Sequence, residues 1–165
     1  MNTIKSFNPI AHNSARILIL GSMPGVKSLN ANQYYAHPQN AFWRIMANIF
    51  NISADQPYDL RVAALKESGV AIWDVLHACV RPGSLDSAIQ KGSRVPNDFQ
   101  NFFMNHPNIQ KVGFNGTEAE KSFNRYVLPN INSENIHFVR LPSSSPAHAV
   151  SLEKKVNAWR EMLGV

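Results

Sequence analysis

Four short segments concentrate the side chains that could do chemistry in this chain. Gly21-Ser22-Met23-Pro24-Gly25 pairs two glycines, which let backbone approach a ligand closely, with a proline that fixes the course of the loop. A polar, aromatic stretch follows, Tyr34-Tyr35-Ala36-His37-Pro38-Gln39-Asn40, ending just before an apolar helical stripe. An asparagine placed there can be either a helix cap or a site amide. Asn115-Gly116 offers a paired donor and acceptor that could read the edge of a nucleobase or simply turn the chain. Leu141-Pro142-Ser143-Ser144-Ser145-Pro146-Ala147-His148 sets small hydroxyls between two prolines, and such a stiff turn of hydroxyl and backbone N–H donors suits a phosphodiester.

No Asp or Glu occurs between Gly21 and Asn40. Cleavage of a sugar bond by paired carboxylates needs two positioned acids. That mechanism therefore finds no support here, and the expectation is a carboxylate-free crevice. Asp74 closes an apolar run, where a supporting carboxylate and a cap are equally open readings. Cys79, the only cysteine, cannot form an internal disulfide or supply the several thiolates of a zinc or iron–sulfur site, and it reads as a small hydrophobe. No metal or cofactor is expected, and no G-x-x-x-x-G-K or G-x-G-x-x-G fingerprint occurs.

The elements that must hold these segments are short and alternating. Arg16-Ile17-Leu18-Ile19-Leu20, stopped by Gly21, has the branched apolar character of a strand buried on both faces. Val70-Ala71-Ile72-Trp73, Lys111-Val112-Gly113-Phe114 and Ile136 to Leu141 resemble it. Between them, Phe42, Ile45, Met46, Ile49 and Phe50 form one helical stripe, and Leu60 to Leu65 a shorter one. Thr117 with Glu120 predicts a capping box, and Ser151 a cap for a last helix carrying Val156, Trp159 and Leu163 on one side. Trp43, Trp73 and Trp159 are assigned to the core. Such alternation predicts an α/β fold of three layers, αβα, around a mostly parallel four-stranded sheet, formed as one domain over 1–165. Ligands of open parallel sheets bind beyond the carboxyl ends of the strands, where three of these segments begin, the Tyr34 to Asn40 stretch continuing the loop that leaves the first strand.

Sixteen Lys and Arg against eleven Asp and Glu leave a net charge of +5, which favours an anionic partner, nucleic acid first. Charged residues make up only 16% of the chain, too few for binding by a polybasic arm, so a shaped site is required as well. No apolar run is long enough to span a membrane and the first residues lack an apolar signal core, so the expected location is cytoplasmic.

Taken together, Gly21 to Gly25, Tyr35-Ala36-His37-Pro38-Gln39-Asn40-Ala41-Phe42-Trp43 and Leu141 to His148 resemble the uracil-DNA glycosylase superfamily, in matching order over most of the chain. The branch most similar is that of the hypoxanthine-DNA (deoxyinosine) glycosylases. The resemblance implies a monofunctional, monomeric enzyme acting on double-stranded DNA. It would flip out a deaminated base, hypoxanthine first, and hydrolyse the N-glycosidic bond. Mismatch-specific relatives carry Asn where this chain has Met23, and a thioether cannot position water in its place. The resemblance therefore gives that catalytic role to Asn40, and stacking on the base to Tyr35. Asn115, Ser22 and Met23 are the further base-binding candidates. Ser143, Ser144, Ser145, His148 and His37 are the DNA-binding ones. Many relatives place a Leu wedge where this chain has Ala147, which leaves helix filling to His148 or a neighbour. Uracil as the main substrate, a catalytically idle nucleic-acid-binding module, and an enzyme acting on another phosphate ester remain as alternatives.

Overall fold

A computed structural model of the chain describes residues 2–165. Its centre is a parallel sheet of β2 (Ile17–Gly21), β3 (Val70–Asp74), β6 (Lys111–Asn115) and β7 (His137–Leu141), in the order β3-β2-β6-β7. Side chains alternate across this sheet. Leu18, Leu20, Ala71, Trp73, Val112 and Phe114 face one apolar cluster, which α4 (Phe99–Asn105) and α5 (Thr117–Tyr126) complete with Phe99, Phe102, Ala119 and Phe123. Ile19, Val70, Ile72 and Leu141 face the other, completed by α2 (Phe42–Phe50), α3 (Tyr58–Glu67) and α6 (Leu152–Leu163). Burial on both faces explains why these strands read as continuous apolar runs, and the result is the three-layer αβα arrangement.

Two elements of the architecture are not visible as sequence periodicity. A small antiparallel sheet, β1 (Thr3–Lys5), β4 (Leu76–Val80) and β5 (Val95–Pro96), forms where the chain leaves β3. A six-residue helix, α1 (Val26–Ala31), follows Gly25. Two local expectations are corrected. Leu60 is 55% exposed, so α3 rests on the sheet through Leu65 and the half-buried Val62. The Thr117 capping box does not form: Gly116, at φ 102, occupies the N-cap position and Thr117 is already helical. Ser151 does cap α6, its hydroxyl accepting the Lys154 N–H.

Strand register sets the site. Gly21 pairs with Asp74 and Asn115 with Leu141, so the ends of all four strands share one edge of the sheet. After Asp74 the chain remains beside this edge, because Val75 N–H donates to the Gly21 carbonyl and Leu76 N–H to that of Ser22. No helix among the described residues is long and apolar enough to cross a membrane.

Candidate active site

The three sequence-distant motifs meet in one hydrogen-bonded arc at this edge. Asn115 is its hub. The Oδ1 of Asn115 accepts the Ser144 backbone N–H at 2.8 Å, and its Nδ2 donates to Ser144 Oγ at 2.8 Å and to Tyr35 Oη at 3.3 Å. Ser144 extends the arc, its carbonyl accepting the N–H of Ala41 next to Asn40. Buried to 1% exposure, Ser144 is thus an internal pin, whereas Ser143 and Ser145 are half-buried and His148 is exposed. The Ser143 and Ser145 hydroxyls accept the N–H groups of Ser145 and Ala147, which stiffens the turn.

Tyr35 reaches the crevice through its backbone. At φ 57 it lies in the left-handed region, a conformation costing a side-chain-bearing residue about 1–3 kcal/mol. The preceding Tyr34 is anchored in the core, its Oη donating to the Asn8 carbonyl and its own carbonyl accepting Trp43 Nε1. The reversal at Tyr35 sends the second ring the other way, to stack on Phe42 with centroids 4.0 Å apart. Burial, and then the nearby Asp74 carboxylate, raise the pKa of the Tyr35 hydroxyl and keep it a donor. Ser28 of α1 braces the same loop by accepting the Ala36 N–H.

Asn40 is half-buried at the N-terminus of α2, and its Oδ1 accepts the Phe42 N–H at 2.9 Å. This turn fixes the direction of the amide and uses one lone pair of its oxygen, leaving the second. His37 shapes the approach: its carbonyl accepts the Asn40 N–H, and its Nδ1 accepts the Gln39 N–H. Ser22 and Met23 lie beneath the crevice at 8% and 7% exposure, Met23 packed into the apolar cluster.

The carboxylate-free expectation is overturned. Pairing of β3 with β2 brings Asp74 against Gly21, so close that a Cβ at Gly21 would stand 2.5 Å from Asp74 Oδ1 and 3.1 Å from Tyr35 Oη. The exposed Asp86 joins them, accepting the Ser22 hydroxyl at 2.6 Å. Buried Arg81 secures the loop by donating to the Pro24 and Gly83 carbonyls, and Ser84 Oγ accepts the Val26 N–H. Neither Asp86 nor Arg81 was a candidate from the sequence, because their proximity comes from the strand crossover. Lys155 was also missed, although a lysine four residues before Trp159 on an apolar face was a readable signal. It is 3% exposed and donates to the Ser145 carbonyl, while Trp159 Nε1 donates to that of Pro142. A cavity of about 500 Å³ lies apart from the motifs, beside α4, lined by Trp73, Asn97, Asn101 and Phe102 among others.

Residues 9–163 match the family model of the uracil DNA glycosylase superfamily. A curated protein from Methanosarcina barkeri, named hypoxanthine DNA glycosylase, is 35% identical over 95% of this chain and 96% of its own. One of the same name from Methanosarcina acetivorans is 31% identical, covering 94% of each chain. The solution structure of a candidate uracil DNA glycosylase from Methanosarcina acetivorans superposes with a TM-score of 0.79, at 28% identity, over 98% of this chain and 99% of that one.

Proposed function

The chain belongs to the uracil DNA glycosylase superfamily and is a DNA glycosylase of base repair, and from that premise we propose that hypoxanthine in duplex DNA is the base it removes first. The carrying observation is the arc from Tyr35 through Asn115 and Ser144 to Ala41, which gathers an aromatic ring, a directed amide and a serine turn at one sheet edge.

Each part of that edge has a task. Ser143, Ser145, His148 and His37 contact the phosphates; Ser144 serves them from beneath by fixing the turn. The target base leaves the stack at a cost of a few kcal/mol, smallest for a mispaired or damaged base, and settles beside Tyr35 over Ser22 and Met23. Asn115 reads its edge by exchanging an internal hydrogen bond for one to the base, since both of its N–H donors are engaged in the free protein. As the glycosidic bond breaks with oxocarbenium character, Asn40 holds water on the sugar through the remaining lone pair of Oδ1, a contribution mainly of orientation. The enzyme acts as a cytoplasmic monomer.

Duplexes carrying one hypoxanthine, uracil or xanthine, incubated without metal and then treated with alkali, test this reading. Strand scission is expected fastest for hypoxanthine, and Asn40→Ala should lower it by about 100-fold with the fold intact. Near-normal turnover in that variant removes Asn40 from catalysis. The superfamily match and the solution-structure neighbour favour uracil as the second reading, and faster scission at uracil would select it.

A further inference from the structure

Two buried charged side chains near the crevice floor have unused bonding capacity: Asp74 at Oδ2 and Arg81 at Nη1, in residues 4% and 5% exposed. No ion pair joins them among the described residues, and Arg81 directs its Nε and Nη2 to main-chain carbonyls. Asp74 packs against Gly21 so closely that only the missing Cβ leaves room for its carboxyl, beside the Tyr35 hydroxyl. Its surroundings offer little relief to an anion. Asp86 on the segment after β4 is a second acid, Tyr34 and Tyr35 bring only hydroxyls, and Arg81 is the one cation coupled to it. Asn97 donates to the Asp74 main-chain carbonyl, away from the carboxyl. Burial first, and the Asp86 charge second, push the carboxyl up to about 7, so it retains its proton close to neutrality.

An evicted purine needs a proton as its bond to the sugar breaks, and the Asn115 amide can share an N–H with the base but cannot give one up. We propose that Asp74 is that donor: beside Gly21 and Tyr35 at the carboxyl edge of the sheet, its carboxyl hydrogen-bonds a ring-nitrogen acceptor of the lactam purine and transfers its proton as the base departs. This rests on the glycosylase reading above. The electron pair of the C1′–N9 bond passes to the purine, which takes the carboxyl proton and leaves neutral. The water held by Asn40 adds its oxygen to C1′, and the proton that water releases restores the carboxyl, so one water is consumed overall. Uracil has no ring nitrogen free to accept, so Asp74 also separates purine from pyrimidine substrates.

The test is single-turnover excision of hypoxanthine and of uracil by wild type and Asp74→Asn, from mildly acid to mildly alkaline pH. Wild-type excision of hypoxanthine should fall as pH rises through about 7. The variant should lose that pH dependence and about 100-fold of its hypoxanthine rate, with uracil excision reduced by no more than about tenfold. A folded variant that keeps the wild-type pH profile, or loses both substrates equally, overturns the assignment. Should the variant not fold, wild-type affinity for duplexes carrying uncleavable 2′-fluorinated nucleotides decides. Affinity for the hypoxanthine form must weaken above neutral pH while the uracil form holds steady, and pH-independent binding of both overturns the proposal. Wild type that releases no base from any duplex overturns the glycosylase reading as well, whereas an active wild type with a flat profile removes Asp74 alone.

Discussion

At Gly21, the absence of a single carbon is what lets the Asp74 carboxyl and the Tyr35 hydroxyl close on the strand end. A methyl group there would press on Asp74 Oδ1 at 2.5 Å and on Tyr35 Oη at 3.1 Å, and both belong to side chains pinned by burial or hydrogen bonding. Gly21→Ala must therefore displace one of them, costing on the order of 1–3 kcal/mol of stability and at least about tenfold in base excision. Retained secondary structure by circular dichroism with reduced scission would bear this out; unchanged scission would show that the close packing of Asp74 and Tyr35 on this strand end does not matter to excision. The cost of Asp74 itself can be read in stability. Its carboxyl titrates near 3.8 when exposed and near 7 in the folded chain, so across that window the native state holds the extra proton and this contribution to stability falls as pH rises, levelling off above about 7. Asp74→Asn removes the titration, and its stability relative to wild type in chemical denaturation should rise through the window by on the order of 4 kcal/mol. A difference independent of pH would place the proton elsewhere. None of this is legible locally. Asp74 shows in the sequence only as an acid ending an apolar strand, and it becomes part of the crevice through pairing with a strand some fifty positions earlier.

Between elements, the serine turn depends on α6 as much as on the sheet. Lys155 and Trp159, one helical turn apart, donate to the Ser145 and Pro142 carbonyls from below. Lys155→Met keeps the aliphatic packing and deletes one donor, so affinity for duplex DNA should weaken several-fold while far-ultraviolet dichroism stays unchanged. Equal affinity in a binding titration would show that the turn holds itself. The helices and strands carrying strong periodicity were legible: α2 by its apolar stripe, α6 by Ser151 and its buried face, and the four parallel strands by unbroken apolar runs. Elements stabilised by tertiary contacts were not. β5 has two residues and no period to read, α1 has six, and α4 is held by an aromatic cluster of Phe99, Phe102 and Phe123 whose members come together only on folding. Leu60 misled because an isolated leucine carries no phase, and Thr117 because a glycine with φ 102 took the capping position. Of the candidate site, the segments were readable and the bonds between them were not: no local pattern announces that Asn115 spans from Tyr35 to Ser144.

For the molecule as a whole, a net charge of +5 spread over few charged residues implies affinity that depends on salt without being dominated by it. Titrating duplex DNA against the protein at increasing ionic strength should give a linear fall of log affinity with log salt, and a flat response would argue against phosphate contact. The fold divides the labour: the parallel sheet supplies Gly21, Asp74 and Asn115 from strand ends, while the serine turn, proposed above to meet the phosphates, is suspended between β7 and α6. Because Asn115 holds that turn from the sheet while Lys155 and Trp159 hold it from α6, losing either anchor should loosen the grip on the double helix, and losing both should cost more than the two losses added.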